Sequence, residues 1–257
     1  MKKLEGATLV ARWGLGELLW SPRTLAMIAI AGGPLGLALA YRVALAFRWT
    51  EVDGAGVFTA LVSGVFFPFV APMLSLVYAS GVVRDDVEAG TIAYFLTRPL
   101  SRSTFLTGKM LASFTMSLAL VLPSLVLVYY VVLSPSGWSE VGARFPNLAR
   151  NLGVAALGLV AYNGIFALAG TVLKRPLLAG LFFIFGWQAV ATFVPGRARL
   201  ATVAHYMSSL TPGSSGGVFA GLLGERSPAI ASILALAAIA GATHALALAA
   251  FARKEVR

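Results

Sequence analysis

Six apolar stretches of about 20 residues each limit what this chain can fold into. An α-helix rises about 1.5 Å per residue, so about 20 residues cross the roughly 30 Å hydrocarbon core of a bilayer. The stretches lie at about 24–46, 57–82, 110–133, 152–173, 176–194 and 228–251. The sequence therefore predicts an all-α membrane protein with six transmembrane helices in a single transmembrane domain that covers residues 1–257.

The composition leaves no room for a separate soluble domain. Hydrophobic residues make up 58% of the chain and charged residues 12%, whereas soluble domains carry about 25% charged residues. Because the chain has no cysteine, disulfides, thiolate metal sites and cysteine nucleophiles are excluded. The net charge of +10 comes from basic residues that flank apolar spans, so we expect contact with membrane lipids and no nucleic acid.

The first 23 residues predict a helix that lies in the membrane interface. Apolar residues recur there at spacings near three and four, and basic residues stand between them. Trp13 and Trp20 suit the depth of the lipid headgroups. The first spanning helix is expected to begin only after Ser21-Pro22-Arg23.

Basic residues predict the orientation of the spans. With six spans, 13 of the 20 Lys and Arg residues fall on the side that holds both termini and residues 84–109, and seven fall on the other side. Loops on the cytoplasmic side carry an excess of Lys and Arg. Both termini and the 84–109 segment are therefore expected in the cytoplasm.

The sequence lacks the residues and motifs of an ion-coupled carrier, a hydrolase or a nucleotide-binding site. All ten acidic residues lie outside the stretches, which argues against an ion-coupled carrier. No His-Glu-x-x-His or Gly-x-Ser-x-Gly motif occurs, and Gly108-Lys109 is followed by Met110 where a phosphate-binding loop needs Ser or Thr. We expect no catalytic residue, bound cofactor or metal in this chain, so energy for transport would come from a partner.

Histidine and serine residues keep one enzymatic alternative open, an intramembrane hydrolase built on a Ser-His dyad. The dyad would combine His244 with one of three serines in the third stretch: Ser113, Ser117 or Ser124. Serine in a span more often bonds its own helix or packs between helices. We therefore expect both His205 and His244 to be hydrogen-bonded structural residues.

Prolines and polar side chains interrupt the apolar pattern of three spans. Pro68 and Pro72 predict a kink in the second span, which serves either as a packing bend or as a gating hinge. Tyr162, Asn163 and Gln188 are expected to form hydrogen bonds between helices.

A polar segment at 84–109 separates the second and third spans and carries charges of both signs. Gly90 permits a sharp reversal, and Thr91 is a suitable N-cap for a short helix that ends before Pro99. Ser101 is the predicted N-cap of the helix that leads into the third span. One apolar face of the short helix is formed by Ile92, Phe95 and Leu96. That face either rests in the lipid interface or fills a cleft on a soluble partner, and the residues alone leave both open.

Three blocks within this segment carry a family resemblance: Glu88-Ala89-Gly90-Thr91-Ile92, Phe95-Leu96-Thr97-Arg98-Pro99-Leu100-Ser101-Arg102, and Gly108-Lys109. Together they resemble the signature of the ABC-2 type permease family, which stands between the second and third spans. The resemblance implies the membrane subunit of an ATP-binding cassette exporter in a bacterial cytoplasmic (inner) membrane, with the type V exporter-like fold of six spans and an N-terminal elbow helix. It also implies a dimer, either a homodimer or a heterodimer with a related permease, and a separate dimeric ABC ATPase subunit that binds ATP and Mg²⁺.

The resemblance further implies roles for individual residues. The short helix at 91–97 becomes the coupling helix that docks on the ATPase, with the residues of the first two blocks as its docking set: Glu88, Gly90, Thr91, Ile92, Phe95, Leu96, Arg98, Pro99, Ser101 and Arg102. Within that set, the apolar face contacts the ATPase, Gly90 and Thr91 shape the helix, and charged residues fix its angle to the spans. Spans two and five line the path between the two copies, with Pro68, Pro72 and Gln188 as path-lining residues.

One alternative from another functional class stays open beside this reading. The chain would then be a non-transporting membrane anchor or assembly protein that uses the same helix to hold a cytoplasmic partner. A periplasmic or accessory protein is a further open partner, for which the 195–227 segment is the candidate contact.

Overall fold

Helices form every regular element in the part of the chain that the structure describes. The structure is a computed structural model, and it describes residues 3–88, 101–188, 190–191, 200–211 and 227–253. The helices before residue 89 are α1 (Lys3–Leu19), α2 (Pro22–Ala46), α3 (Gly54–Leu61), the π-helix π1 (Val62–Val70) and α4 (Ala71–Glu88). Those after residue 100 are α5 (Arg102–Leu133), α6 (Trp138–Ala143), α7 (Phe145–Val172), α8 (Pro176–Leu181), the π-helix π2 (Phe182–Gln188), α9 (Val203–Leu210) and α10 (Ala229–Arg253).

Five helical runs among the described residues are long and apolar enough to cross a membrane. They are Pro22–Ala46, Gly54–Val82, Arg102–Ser136, Phe145–Val172 and Ala229–Arg253. Acidic side chains are absent from all five of these runs. The predicted fifth span, at 176–194, is represented by the shorter apolar helix Pro176–Gln188. The described helices thus provide five candidate spans where the sequence predicts six.

Two of the long helices begin well before the apolar stretches that predict them. The stretch at 110–133 belongs to α5, which already starts at Arg102, and the stretch at 152–173 belongs to α7, which starts at Phe145. In each case the added turns carry polar residues, so the change in hydropathy does not mark the helix boundary. The connector between α5 and α7, residues 134–144, is correspondingly short, and it contains a 3-10 helix, Ser134–Ser136, and the mostly exposed helix α6.

Small residues let α7 lie close to its neighbours, and α7 packs against α4, α5 and α10. A side chain at Gly170 would collide with the backbone of Ser80 on α4, and one at Gly164 would collide with Thr243 on α10. Close approach at small residues is how helices pack in membranes, where lipid tails are as apolar as leucine. These contacts place α7 at the centre of the described bundle.

A chain of hydrogen bonds crosses from π2 through α7 to π1. The N–H of Ala71 bonds the carbonyl of Phe66, a step of five residues, and Pro72 has no N–H to bond the next carbonyl, that of Phe67. Tyr162 Oη donates to that carbonyl at 3.4 Å, and Gln188 Nε2 donates to Tyr162 Oη at 2.7 Å. Where the sequence predicts a kink at Pro68 and Pro72, the structure has a π-helical segment, Val62–Val70, which contains Pro68 and ends two residues before Pro72. The carbonyl of Phe67, which has no N–H donor because of Pro72, accepts its hydrogen bond from a residue of another helix, Tyr162 of α7.

Other buried polar side chains also join helices. Asn163 Nδ2 donates to Ser113 Oγ at 2.9 Å between α7 and α5. Tyr78 Oη donates to Thr24 Oγ1 at 3.2 Å between α4 and α2. Together with the Gln188–Tyr162 bond, these contacts confirm that Tyr162, Asn163 and Gln188 form hydrogen bonds between helices.

The end of α5 far from Arg102 carries a small polar network. Arg42 donates to Ser134 Oγ at 2.8 Å, and Arg144 donates from Nε to Glu140 Oε2 at 2.9 Å. The hydrogen bond to Glu140 raises the pKa of Arg144, and the nearby Asp53 carboxylate acts in the same direction. The guanidinium therefore stays charged and ties α6 to the start of α3.

A pair of glycine variants in α7 tests the packing of this helix. We expect Gly170→Ala to destabilise the protein by about 1–3 kcal/mol, because the new methyl group would meet the backbone of Ser80 and backbone atoms cannot move aside cheaply. Gly153→Ala is the matched control, since no atom lies within 4 Å of the position that its methyl group would take and alanine favours a helix by up to about 1 kcal/mol. Thermal unfolding in detergent measures both, and equal Tm values for the two variants would contradict the close contact.

Candidate functional site

The candidate site lies where α1, the start of α5 and the end of α10 meet, and we call this region the α5 junction. It consists of Trp13, Glu17, Ser101, Arg102, Phe105, Gly108, Lys109, Phe251 and Ala252. The polar segment predicted to dock a partner connects to it directly, because α4 ends at Glu88 and α5 begins at Arg102. The junction therefore holds one end of that segment, and α4 holds the other.

Ser101 caps the first turn of α5. Its backbone is extended, with φ of −71° and ψ of 146°, and its hydroxyl accepts the N–H of Thr104 at 3.2 Å. The hydroxyls of Ser101 and Thr104 lie 2.7 Å apart as well. This is the geometry of a serine N-cap, typically worth about 1 kcal/mol, and it confirms the helix start predicted at Ser101.

Lys109 is buried about two turns into α5 and pairs with a carboxylate of α1. Only 7% of the residue is exposed, and its Nζ lies 3.0 Å from Glu17 Oε2. The ammonium also lies 4.4 Å from the centre of the Trp13 ring, within the range of a cation–π contact. A buried charge persists only when it is paired and hydrogen-bonded, so these two α1 side chains fix α1 against α5.

Small residues bring the two helix backbones together beside this pair. A side chain at Gly108 would come within 2.7 Å of both the carbonyl oxygen of Ala7 and Cβ of Val10. One at Gly14 would come within 3.1 Å of Ala112 Cβ. Any larger residue at position 108 would force α1 away from α5. Gly108 therefore permits the close approach of the two helices, and the adjacent Lys109 holds them together through Glu17.

The end of α10 closes the junction on its other side. Arg102 Nη1 donates to the carbonyl of Ala252 at 3.4 Å, where a helix C-terminus offers unpaired carbonyls and negative partial charge. Phe105 stacks on Phe251 with ring centres 6.3 Å apart. The first turns of α5 are thus held between α1 and α10.

A family model described as "ABC-2 family transporter protein" matches residues 27–256. The chain belongs to the ABC-2 transporter family. It is therefore a multi-pass membrane protein and a permease component of an ABC transporter. A comparison with curated proteins found no match.

The docking set predicted for this ABC-2 permease lies only in part within the described residues. Glu88 is the last residue of α4, and Ser101 and Arg102 belong to the α5 junction. The other seven lie outside the described residues: Gly90, Thr91, Ile92, Phe95, Leu96, Arg98 and Pro99. The structure thus locates both ends of the predicted coupling region.

The residues predicted to line a path lie mostly inside the permease. Pro68 is half-buried in π1, and Pro72 is buried in the first turn of α4. Gln188 is 4% exposed, and its amide is bonded to Tyr162. In this single chain, Pro72 and Gln188 therefore lie between helices, where the hydrogen bonds described above hold them.

The three serines of the hydrolase alternative are bonded elsewhere. Ser113 donates to the carbonyl of Met110, Ser117 to that of Ser113 and Ser124 to that of Ala31. His244 forms no hydrogen bond with the residues that the structure describes, so none of these serines makes a Ser-His dyad with it there. The expected structural hydrogen bond is confirmed for His205, whose Nε2 lies 3.0 Å from Ser227 Oγ, and is wrong for His244 within the described chain.

The pairing of α1 with α5 could not be found from the sequence. Glu17 and Lys109 are 92 residues apart, and no local pattern connects them. One signal was available in retrospect, since Lys109 extends an otherwise apolar run and a buried lysine needs a partner. The glycine before it marks the face on which that partner helix lies.

Two substitutions test whether Lys109 and Glu17 stabilise the protein through their interaction with each other. We expect Glu17→Ala to destabilise the protein by about 1–3 kcal/mol, because it leaves the ammonium of Lys109 buried beside a missing partner. Lys109→Met should cost less than about 1 kcal/mol, because it removes the charge and keeps an unbranched apolar stem. Adding Lys109→Met to Glu17→Ala should therefore recover stability. Thermal unfolding of all four combinations gives the coupling energy, and strictly additive effects would contradict the pairing.

Proposed function

We propose that this ABC-2 permease forms a substrate path as a dimer and is driven by a separate ABC ATPase that docks on residues 91–97. The observation that carries the proposal is the packing of the two helices that flank residues 89–100, α4 and α5. Before residue 89 the chain forms α4, which ends at Glu88. After residue 100 it forms α5, which packs against α1 and α10. A push on the segment would therefore reach two spans at once.

The chemistry of the junction supports transmission of movement. Coupling between distant sites needs packed elements that move as units. The ion pair of buried Lys109 with half-exposed Glu17 and the Phe105–Phe251 stack join three helices at the start of α5. From there α5 continues for 32 residues to Leu133. At about 1.5 Å per residue it is about 48 Å long, enough to carry a displacement across a bilayer.

We propose that α1 is the elbow helix and lies in the cytoplasmic interface. Its outward face is apolar and aromatic: Leu9 and Leu19 are exposed, and Trp20 is 92% exposed. An exposed apolar helix face with flanking basic residues suits the boundary between headgroups and acyl chains. In this arrangement α1, the docking segment and the end of α10 share one side of the membrane, as the distribution of Lys and Arg predicts.

We further propose a sixth span that contains α8 and π2 and continues to about residue 194. Six spans return the C-terminus to the side of the N-terminus, which agrees with the contact between Arg102 and Ala252 at the end of α10. Spans two and five, which contain π1 and π2, would line the path in the dimer. Phe185 and Trp187 on π2 are exposed and available for a second copy of the chain.

Substitution of the proposed docking anchor tests this function. We expect Phe95→Asp to leave membrane insertion intact and to abolish co-purification of the ATPase, because a carboxylate would be buried in the apolar cleft. Phe145→Asp is the matched control, since Phe145 is exposed at the start of α7, away from the α5 junction. Unchanged recovery of the ATPase with Phe95→Asp would contradict the docking role.

The effect of docking on ATP hydrolysis must be measured beside docking itself. In proteoliposomes of the complex, we expect the permease to stimulate ATP hydrolysis by its partner and Phe95→Asp to remove that stimulation. Retained docking without any stimulation would indicate a membrane anchor and contradict a permease role for the complex.

A further inference from the structure

A cavity of about 480 Å³ lies between α5, α7 and α10. Its volume falls within the range of about 300–1,000 Å³ that is typical of small-molecule sites. Met110 and Phe114 of α5, Val160 of α7, and Leu248 of α10 form its apolar walls. It is separate from the path proposed between spans two and five, because π1, α8 and π2 contribute nothing to its lining.

Helix packing explains why the space is empty of side chains. α5 and α10 touch at the stacked rings of Phe105 and Phe251, and α7 touches α10 where Gly164 meets Thr243. Two small residues of α10 line the third side: Ala245, which lies between these two contacts, and Gly241, which lies just before Thr243. An apolar slot is left beside residues 107–114 of α5.

The slot opens onto the outer surface of the bundle. Its rim residues Leu111 and Val160 are 42% and 40% exposed, and Ala245 is exposed too. All three belong to helices that are long and apolar enough to span the membrane. In a bilayer, a lipophilic molecule would therefore enter from the hydrocarbon without crossing water.

The imidazole of His244 is a polar group in the otherwise mostly apolar lining of the slot. It is half-buried, lines the cavity and forms no hydrogen bond with the residues that the structure describes. It lies nine positions before Arg253, the last residue of α10, which places it about 13 Å along the helix from that end. A neutral imidazole has one N–H donor and one acceptor nitrogen, and leaving them unpaired in hydrocarbon is costly. Intramembrane ionisable residues usually mark functional sites for this reason.

The lining also indicates what kind of polar group the ligand carries. No Lys, Arg, Asp or Glu lines the cavity, so a charged headgroup would be desolvated there without a counter-ion. Two other polar side chains line the cavity, Thr107 and Asn163, and the amide of Asn163 already bonds Ser113. An acyl chain of a bilayer phospholipid would fill the slot and leave His244 unbonded. A neutral hydroxyl can both donate to and accept from the imidazole.

We propose that this cavity binds a single-chain lipophile with one terminal hydroxyl, whose chain lies along Met110 and Phe114 and whose hydroxyl bonds His244. The site would be filled from the membrane and does not depend on the ATPase. Because the ligand would contact the turns of α5 that follow the α5 junction, the site is positioned to sense or influence that helix.

Paired photoreactive probes test the proposal on the purified full chain in lipid nanodiscs. One probe is a C16 alcohol with a mid-chain diazirine and an alkyne, and the other is the matched C16 hydrocarbon without the hydroxyl. We expect the alcohol to label peptides of α5 and α10 about threefold or more above the hydrocarbon, as one hydrogen bond would give. His244→Leu should reduce this excess to none, and His244→Gln should keep it.

Two matched substitutions on α10 report on occupancy of the cavity. Ala245→Phe should fill the slot and reduce labelling by both probes, whereas Ala242→Phe adds the same bulk at an exposed position outside the lining and should leave labelling unchanged. Equal labelling by the two probes in the unaltered chain would overturn the hydroxyl assignment. Labelling that survives Ala245→Phe would overturn the site. If His244→Leu does not fold, the alanine pair and the two probes still decide the question.

Discussion

Hydrocarbon offers no hydrogen-bond partners, and the architecture of this permease depends on that constraint. Each backbone polar group in the membrane has to be paired within the protein, which restricts single spanning segments to helices. The described chain follows this rule even where its helices are irregular. At Pro72, which cannot donate, the carbonyl of Phe67 accepts from Tyr162, and Tyr162 in turn accepts from Gln188. The hydrogen bonds that replace the missing donor of Pro72 thus connect π1, α7 and π2.

Burial of a charge imposes a similar requirement at the α5 junction. A buried ammonium is too costly to leave unpaired, so Lys109 keeps Glu17 and Trp13 of α1 in place. Gly108 brings the backbones together, and the contacts of Arg102 and Phe105 with the end of α10 hold the other side. The segment that the family signature marks as the docking element enters α5 through this clamp. In our proposal the clamp, together with the continuous helix α5, converts movement of the docking element into movement of the spans.

Much of the fold follows from local sequence, because hydropathy reports which residues can contact lipid and Ser101 has a chemical reason to start a helix. Hydropathy fails at helix ends. It misses the first turns of α5 and α7, where Arg102, Lys109 and Arg150 stand in helices that extend beyond the apolar region. The described residues cover the predicted fifth span at 176–194 mainly through the helix Pro176–Gln188, so that span stays a prediction. Tertiary pairing was out of reach, because the partners of Lys109 and Phe67 lie more than 90 residues away. The docking residues come from a family signature, and seven of them lie outside the described chain.

The most direct test of the account is site-specific photo-crosslinking in intact cells. A benzophenone amino acid at position 95 reports what the apolar face of the docking segment touches, and the same amino acid at position 145 serves as the control. The account predicts that position 95 forms an adduct with an ABC ATPase, identified by mass spectrometry, and that position 145 does not. Adducts at position 95 with lipid alone would contradict it, because the segment would then rest in the interface and receive no work from a partner.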